Sequence, residues 1–121
     1  MGTIRIASVT LDCPDPRGLS NFYAQLLNWP PDPAPTPDNF FAELANPGGP
    51  IGLSFQRVDA YRAPQWPGQE VPQQVHLSLV TDDAPAAHER AVTLGARLLD
   101  GTREPRVYAD PAGHPFCISA G

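Results

Sequence analysis

The chain has 121 residues, enough for one compact domain with a core of its own. Hydrophobic residues make up 41% and charged residues 17%, a balance that excludes an acidic disordered tail. The net charge of −5 comes without any cluster of Lys or Arg, and no apolar run reaches the roughly 20 residues that span a bilayer. No nucleic acid and no membrane is therefore expected as a partner.

Met1-Gly2-Thr3-Ile4-Arg5 leads straight into an alternating segment without a signal-peptide core, so the expected location is cytoplasmic. Residues 4–11 read as a strand, with Ala7, Val9 and Leu11 on one face and Ser8, Thr10 and Asp12 on the other. Asp15-Pro16 is an N-cap followed by proline at the first helical position. Leu19, Phe22, Tyr23, Leu26 and Leu27 then form one apolar helix face, which Asn28 and Pro30 bring to an end. Many of the 16 prolines lie between residues 30 and 72, where they read as rigid connections. Between them, Phe40–Ala45 and Ile51–Val58 read as strands on either side of the turn Asn46-Pro47-Gly48-Gly49.

The same order then returns. Residues 75–81 read as a strand, with Val75, Leu77 and Leu79 on one face and His76, Ser78 and Val80 on the other. Asp82-Asp83 caps a helix over 84–94 that buries Ala87, Ala91 and Leu94 and ends at Gly95. Arg106–Ala109 and Pro115–Ser119 flank a second turn, Asp110-Pro111-Ala112-Gly113. Ser8-Val9-Thr10-Leu11 aligns with His76-Leu77-Ser78-Leu79, and the two turns align with each other.

The chain thus reads as a single domain over 1–121, built from modules 3–58 and 75–120 with a Pro-rich linker over 59–74. Each module reads strand, helix, then two or three strands. The expectation is an α+β fold of two βαβββ modules, each with a helix on one sheet face. The other faces would together form a concave half-barrel cleft. A ferredoxin-like sandwich is the competing arrangement, and the doubled turn favours the paired modules.

These segments resemble the vicinal-oxygen-chelate superfamily of glyoxalases, bleomycin resistance proteins and extradiol dioxygenases. The resemblance is carried by Leu11-Asp12-Cys13-Pro14-Asp15-Pro16, Phe22-Tyr23, Leu26-Leu27, Val75-His76-Leu77-Ser78-Leu79, Leu94-Gly95-Ala96 and Asp110-Pro111-Ala112-Gly113-His114-Pro115-Phe116-Cys117. It covers nearly the whole chain, and the last segment looks most like a glyoxalase-like subgroup of largely unassigned activity. The resemblance implies a cleft on the concave face and, in metal-dependent members, ligands on the first and last strand of each module. Carried over, those positions are Ser8, Leu53, His76 and Cys117.

Of these, His76 is a sound metal ligand, Ser8 a poor one, and Leu53 none. Cys117 offers a thiolate where Mg²⁺-, Mn²⁺- or Fe²⁺-dependent relatives use a carboxylate. A catalytic zinc site has three protein ligands. The expectation is no intact metal site and no cofactor, the alternative being a divalent ion on His76 with Cys117 or Asp12. Glu43 is a further carboxylate in the same module. A Cys117–His76 nucleophile pair is a lesser possibility, because no third orienting group is evident.

The expected cleft residues are Ser8, Thr10, Leu53, Phe55, Gln56, Trp66, His76 and Cys117, with Trp66 as a lid and His76 as the candidate proton-handling residue. His88 reads as outward-facing on its helix and His114 as a turn residue. Cys13 and Cys117 read as free thiols. The leading reading is a homodimer that binds a small organic molecule without metal. The rivals are a metal-dependent lyase, isomerase or dioxygenase using His76, and a scaffold with a vestigial cleft.

Overall fold

The structure is a computed structural model that describes residues 2–121. The chain divides into two compact units, Met1–Tyr61 and Arg62–Gly121, so the boundary falls at the start of the expected linker and residues 62–74 group with the second unit.

The first unit contains β1 (Ser8–Cys13), α1 (Pro16–Leu27), β2 (Phe41–Leu44) and β3 (Gly52–Arg57). Its sheet has the order β1-β3-β2, with β1 parallel to β3 and β2 antiparallel to it. The last strand in sequence is therefore the middle strand. β1 begins four residues later than the alternation suggests, and Ile4 and Ile6 are exposed. The ladder stops there because Gly52 opposes Ser8 and its N–H donates to the Ala7 carbonyl, while the preceding Pro50 has no N–H to offer.

The helix starts where the sequence places it. The Asp15 carboxylate accepts from the Gly18 N–H at 3.1 Å, and Asn28 ends the helix in the left-handed conformation at φ 57°. Asn39 also donates to Asp15 at 2.7 Å and accepts from the Arg17 N–H at 2.8 Å, tying the first turn of the helix to the loop before β2. Leu19, Phe22 and Tyr23 are buried against the sheet, and Tyr23 stacks on Phe55 at 5.9 Å between ring centroids.

Between α1 and β2 the chain runs through Pro30, Pro31, Pro33, Pro35 and Pro37, and this segment forms no strand. Proline cannot donate to a ladder, so side chains bond the outer edge of β2 instead. The Asp32 carboxylate accepts from the Glu43 N–H at 2.9 Å. The Thr36 hydroxyl accepts from the N–H groups of Phe40 at 2.8 Å and Phe41 at 3.0 Å. This accounts for the first unit having two strands after its helix where the second has three.

The second unit contains β4 (Leu77–Thr81), α2 (Ala84–Leu94), β5 (Arg97–Asp100), β6 (Arg106–Ala109) and β7 (Pro115–Ala120). Its sheet order is β4-β7-β6-β5, again with the first and last strands parallel and the last strand internal. Asp83 caps α2 by accepting from the Ala86 N–H at 3.1 Å, and Gly95 at φ 116° closes the helix, a conformation that glycine adopts without strain. The two aligned turns also share their chemistry. Asn46 accepts from the Gly48 N–H at 2.8 Å and Asp110 from the Ala112 N–H at 2.9 Å, the same side-chain-to-backbone turn in each unit.

Candidate functional site

Strand alternation divides the first sheet into two faces. Phe55 meets α1 and is fully buried, so Leu53, two residues away on β3, shares that helix-packed face with Leu11 and Cys13 of β1. On the other face the Ser54 hydroxyl donates to the Ser8 hydroxyl at 3.0 Å. Thr10, Gln56 and Glu43 follow the parity of this second face, with Glu43 paired to Ser54 across the β2–β3 ladder.

This corrects two of the expected cleft residues. Leu53 and Phe55 are core residues beneath α1, and the residue that joins Ser8 is Ser54. The repeat alignment carried through the turns runs one residue out of step with the strand pairing. Val9 pairs with Leu53, whereas its counterpart Leu77 pairs with Phe116 and not with Cys117. A slip of one residue in a strand exchanges its faces.

A groove of about 490 Å³ runs along the Ser8–Ser54 face. Arg5, Ser8, Asp32, Phe41, Glu43 and Ser54 are among the residues that line it. Gly52 lies between Ser8 and Ser54 in this wall. A Cβ there would overlap the Leu44 carbonyl oxygen, so the position accepts no side chain. The chemistry on offer is graded. Asp32 is committed to the Glu43 and Ala34 N–H groups, and Thr36 to Phe40 and Phe41. Ser8 accepts from Ser54 and keeps its own proton to donate. Among the described residues, the Arg5 guanidinium and the Glu43 carboxylate form no ion pair.

In the second unit His76 lies just before β4, half-buried, with Nδ1 3.2 Å from the Gln73 side-chain oxygen. Cys117 is buried on β7 and pairs with Ser78 of β4 and Val107 of β6. It alternates with Phe116, which stacks on Tyr108 at 5.4 Å, so Cys117 faces the opposite side of the sheet. His76 continues the parity of Ser78. Trp66 is half-buried in a turn that contains the cis Trp66–Pro67 bond. His114 is buried, and its N–H donates to Asp110 at 3.0 Å. His88 does not face outward. It is half-buried, with Nδ1 2.8 Å from the Tyr108 hydroxyl.

The donor set does not suit the metal that the resemblance implies. Leu53 faces the helix, and the hydroxyl of Ser8 is engaged by Ser54. Among the described residues, no three His, Cys, Asp or Glu side chains group closely enough to hold an ion. Sequence reasoning missed Arg5, Asp32 and Ser54. Ser54 was legible as the parity partner of Ser8 once β3 was in register, whereas Asp32 enters through a proline-rich loop that no periodicity describes. Among the described residues, no helix is long and apolar enough to cross a membrane.

The model of the glyoxalase-like domain family matches residues 8–119. No curated protein matches the sequence. Solved structures agree in fold. A glyoxalase/bleomycin resistance protein/dioxygenase family enzyme from Burkholderia phytofirmans superposes with TM-score 0.71 at 20% identity, covering 94% of this chain and 96% of that one. The fosfomycin resistance protein FosX from Mesorhizobium loti gives 0.68 at 16% identity, covering 99% and 94%. A possible glyoxalase from Bacillus cereus gives 0.69 at 12% identity, covering 98% and 100%.

Proposed function

The chain belongs to the glyoxalase-like domain family, and from that premise we propose that it is a small-molecule-binding member that works without a resident metal ion. The observation that supports this reading is the groove on the Ser8–Ser54 face, where a hydroxyl pair with Ser54 buried and Ser8 half-buried leaves one donor for an acceptor atom of the ligand. Phe41 supplies an apolar wall, while Arg5 and Glu43 bring opposite charges that no ion pair among the described residues neutralises. A small organic molecule with an apolar body and hydrogen-bonding ends matches that lining.

The reading takes the protein to act as a pair of like chains in the cytoplasm, in keeping with two buried free cysteines. Among the described residues, Ser8, Leu53, His76 and Cys117 do not form a metal ligand set. The rival, a metal-dependent lyase, isomerase or dioxygenase, keeps His76 as its one good ligand.

Two measurements decide between them. A thermal-shift screen of small organic compounds should find stabilisers whose effect falls in Ser8→Ala. A ligand at 100 times its Kd stabilises by about 2.7 kcal/mol, well within detection. A screen without hits removes the binding reading. Elemental analysis of protein purified without chelator should give well below one metal ion per chain. Stoichiometric metal that disappears in His76→Ala would replace this proposal with the enzyme reading.

A further inference from the structure

A second groove, of about 470 Å³, lies on the helix side of the second unit's sheet and shares no residue with the site above. Pro85, His88, Glu89 and Val92 line it at i, i+3, i+4 and i+7 along α2, and Arg106 at the start of β6 adds the sheet's contribution. The apolar stripe of α2 is thin, with Ala91 its one buried residue, so the helix leaves this side uncovered.

Two polar groups here are prepared for a partner. Tyr108 is 1% exposed, and a buried phenol requires a hydrogen-bond partner, which His88 Nδ1 supplies at 2.8 Å. With the phenol donating to Nδ1, the imidazole carries its proton on Nε2 and offers a fixed donor. Arg106 is half-buried, yet among the described residues its guanidinium makes no hydrogen bond and no ion pair. Val92, 45% exposed, and Pro85 supply apolar surface beside these donors.

We propose that this groove is a binding site for a small organic monocarboxylate, held by Arg106 and His88 with its apolar body against Val92 and Pro85. A planar two-oxygen anion matches the fork of a guanidinium. Glu89 borders the same groove, and its negative charge disfavours phosphates and other multiply charged anions. The inference does not depend on the first groove, and either site can fail without the other.

Benzoate is the probe, and benzamide is its neutral isostere. The imidazole nitrogens of His88 are followed by long-range ¹H–¹⁵N NMR on the full chain. Benzoate should shift the His88 resonances saturably, benzamide should not, and Arg106→Gln should weaken benzoate binding by about tenfold or more with an unchanged far-UV CD spectrum. Three outcomes overturn the proposal: no saturable shift with benzoate, an equal shift with benzamide, or an equal affinity in the Arg106→Gln variant. The benzamide comparison needs no substitution, so it decides the matter even if Arg106→Gln fails to fold.

Discussion

The Ser54 hydroxyl donates to the Ser8 hydroxyl at 3.0 Å across 46 residues of sequence, and only one of the two groups is sealed from water. Ser54 is 1% exposed, whereas Ser8 is half-buried at the groove wall. The two alanine substitutions should therefore differ. Ser8→Ala strands a buried hydroxyl and should cost about 1–3 kcal/mol, while Ser54→Ala leaves Ser8 able to reach water and should cost about 1 kcal/mol or less. In urea melts the double variant should lose less than the sum of the two single losses. Additive losses would show that the hydroxyls are not coupled.

Gly52 should tolerate no side chain. Gly52→Ala drives a methyl group into the Leu44 carbonyl, which cannot retreat without breaking the β2–β3 pairing. A loss of about 1–3 kcal/mol in chemical denaturation is expected, as for other overpacked sites. A neutral result would mean that the β2–β3 ladder yields easily.

Asp32 stands in for a missing strand. Asp32→Ala removes the acceptor for the Glu43 N–H, bares the edge of β2 and should cost about 1–2 kcal/mol with increased self-association in light scattering. Asp32→Asn keeps one side-chain oxygen and should retain part of the stability. Unchanged behaviour in both variants would mean that solvent satisfies the edge equally well.

Leu53 separates core from groove. Truncating it to alanine should destabilise by about 2–5 kcal/mol while the affinity of any groove ligand stays as in the parent, because its side chain lies on the α1 face. A ligand-specific loss in Leu53→Ala, measured where the variant is folded, would return this residue to the site.

Asp15 should make part of the helix cap sensitive to acid. The Asn39 amide, then the Gly18 N–H, and more weakly Arg17 hold its carboxyl below the ordinary value of 3.8, against a small opposing effect of burial. Its folded-state value is thus lower than its unfolded one, so its contribution is complete above the unfolded value and fades as pH falls through the folded value. Urea midpoints followed from about pH 5 down to about pH 2 should decline less steeply in Asp15→Asn, which keeps a capping oxygen but does not titrate. An identical decline would assign the acid limb to other carboxyls.

How far the sequence revealed this molecule depends on the kind of signal. Both helices are legible to the residue, because Asp15-Pro16 and Asp83 with Pro85 are local start signals and Asn28 and Gly95 are local stops. The doubled turn is legible for the same reason, since Asn46 and Asp110 each make their bonds within a few residues. Strand register was not. Whether Leu53 or Ser54 joins Ser8 depends on a pairing between distant segments, and the aligned turns gave the wrong parity by one residue. β5 was missed because Arg97-Leu98-Leu99-Asp100 does not alternate and carries an irregularity between Leu98 and Asp100. His88 was misread because its helix offers little apolar periodicity, and the partner that holds it, Tyr108, lies 20 residues away on β6.

In both sheets the final strand to be synthesised is an internal one: β3 enters between β1 and β2, and β7 between β4 and β6. While the chain is being translated, β1 and β2 therefore have no partner in each other, and the strand edges that face β3 stay unpaired until residues 52–57 emerge. β4 waits in the same way for residues 115–120. Each unit is completed by a late insertion and not by gradual accretion. A nascent chain halted just short of either segment would carry its apolar strands bare, which makes those two stretches the points where a chaperone or an aggregation partner has the longest access.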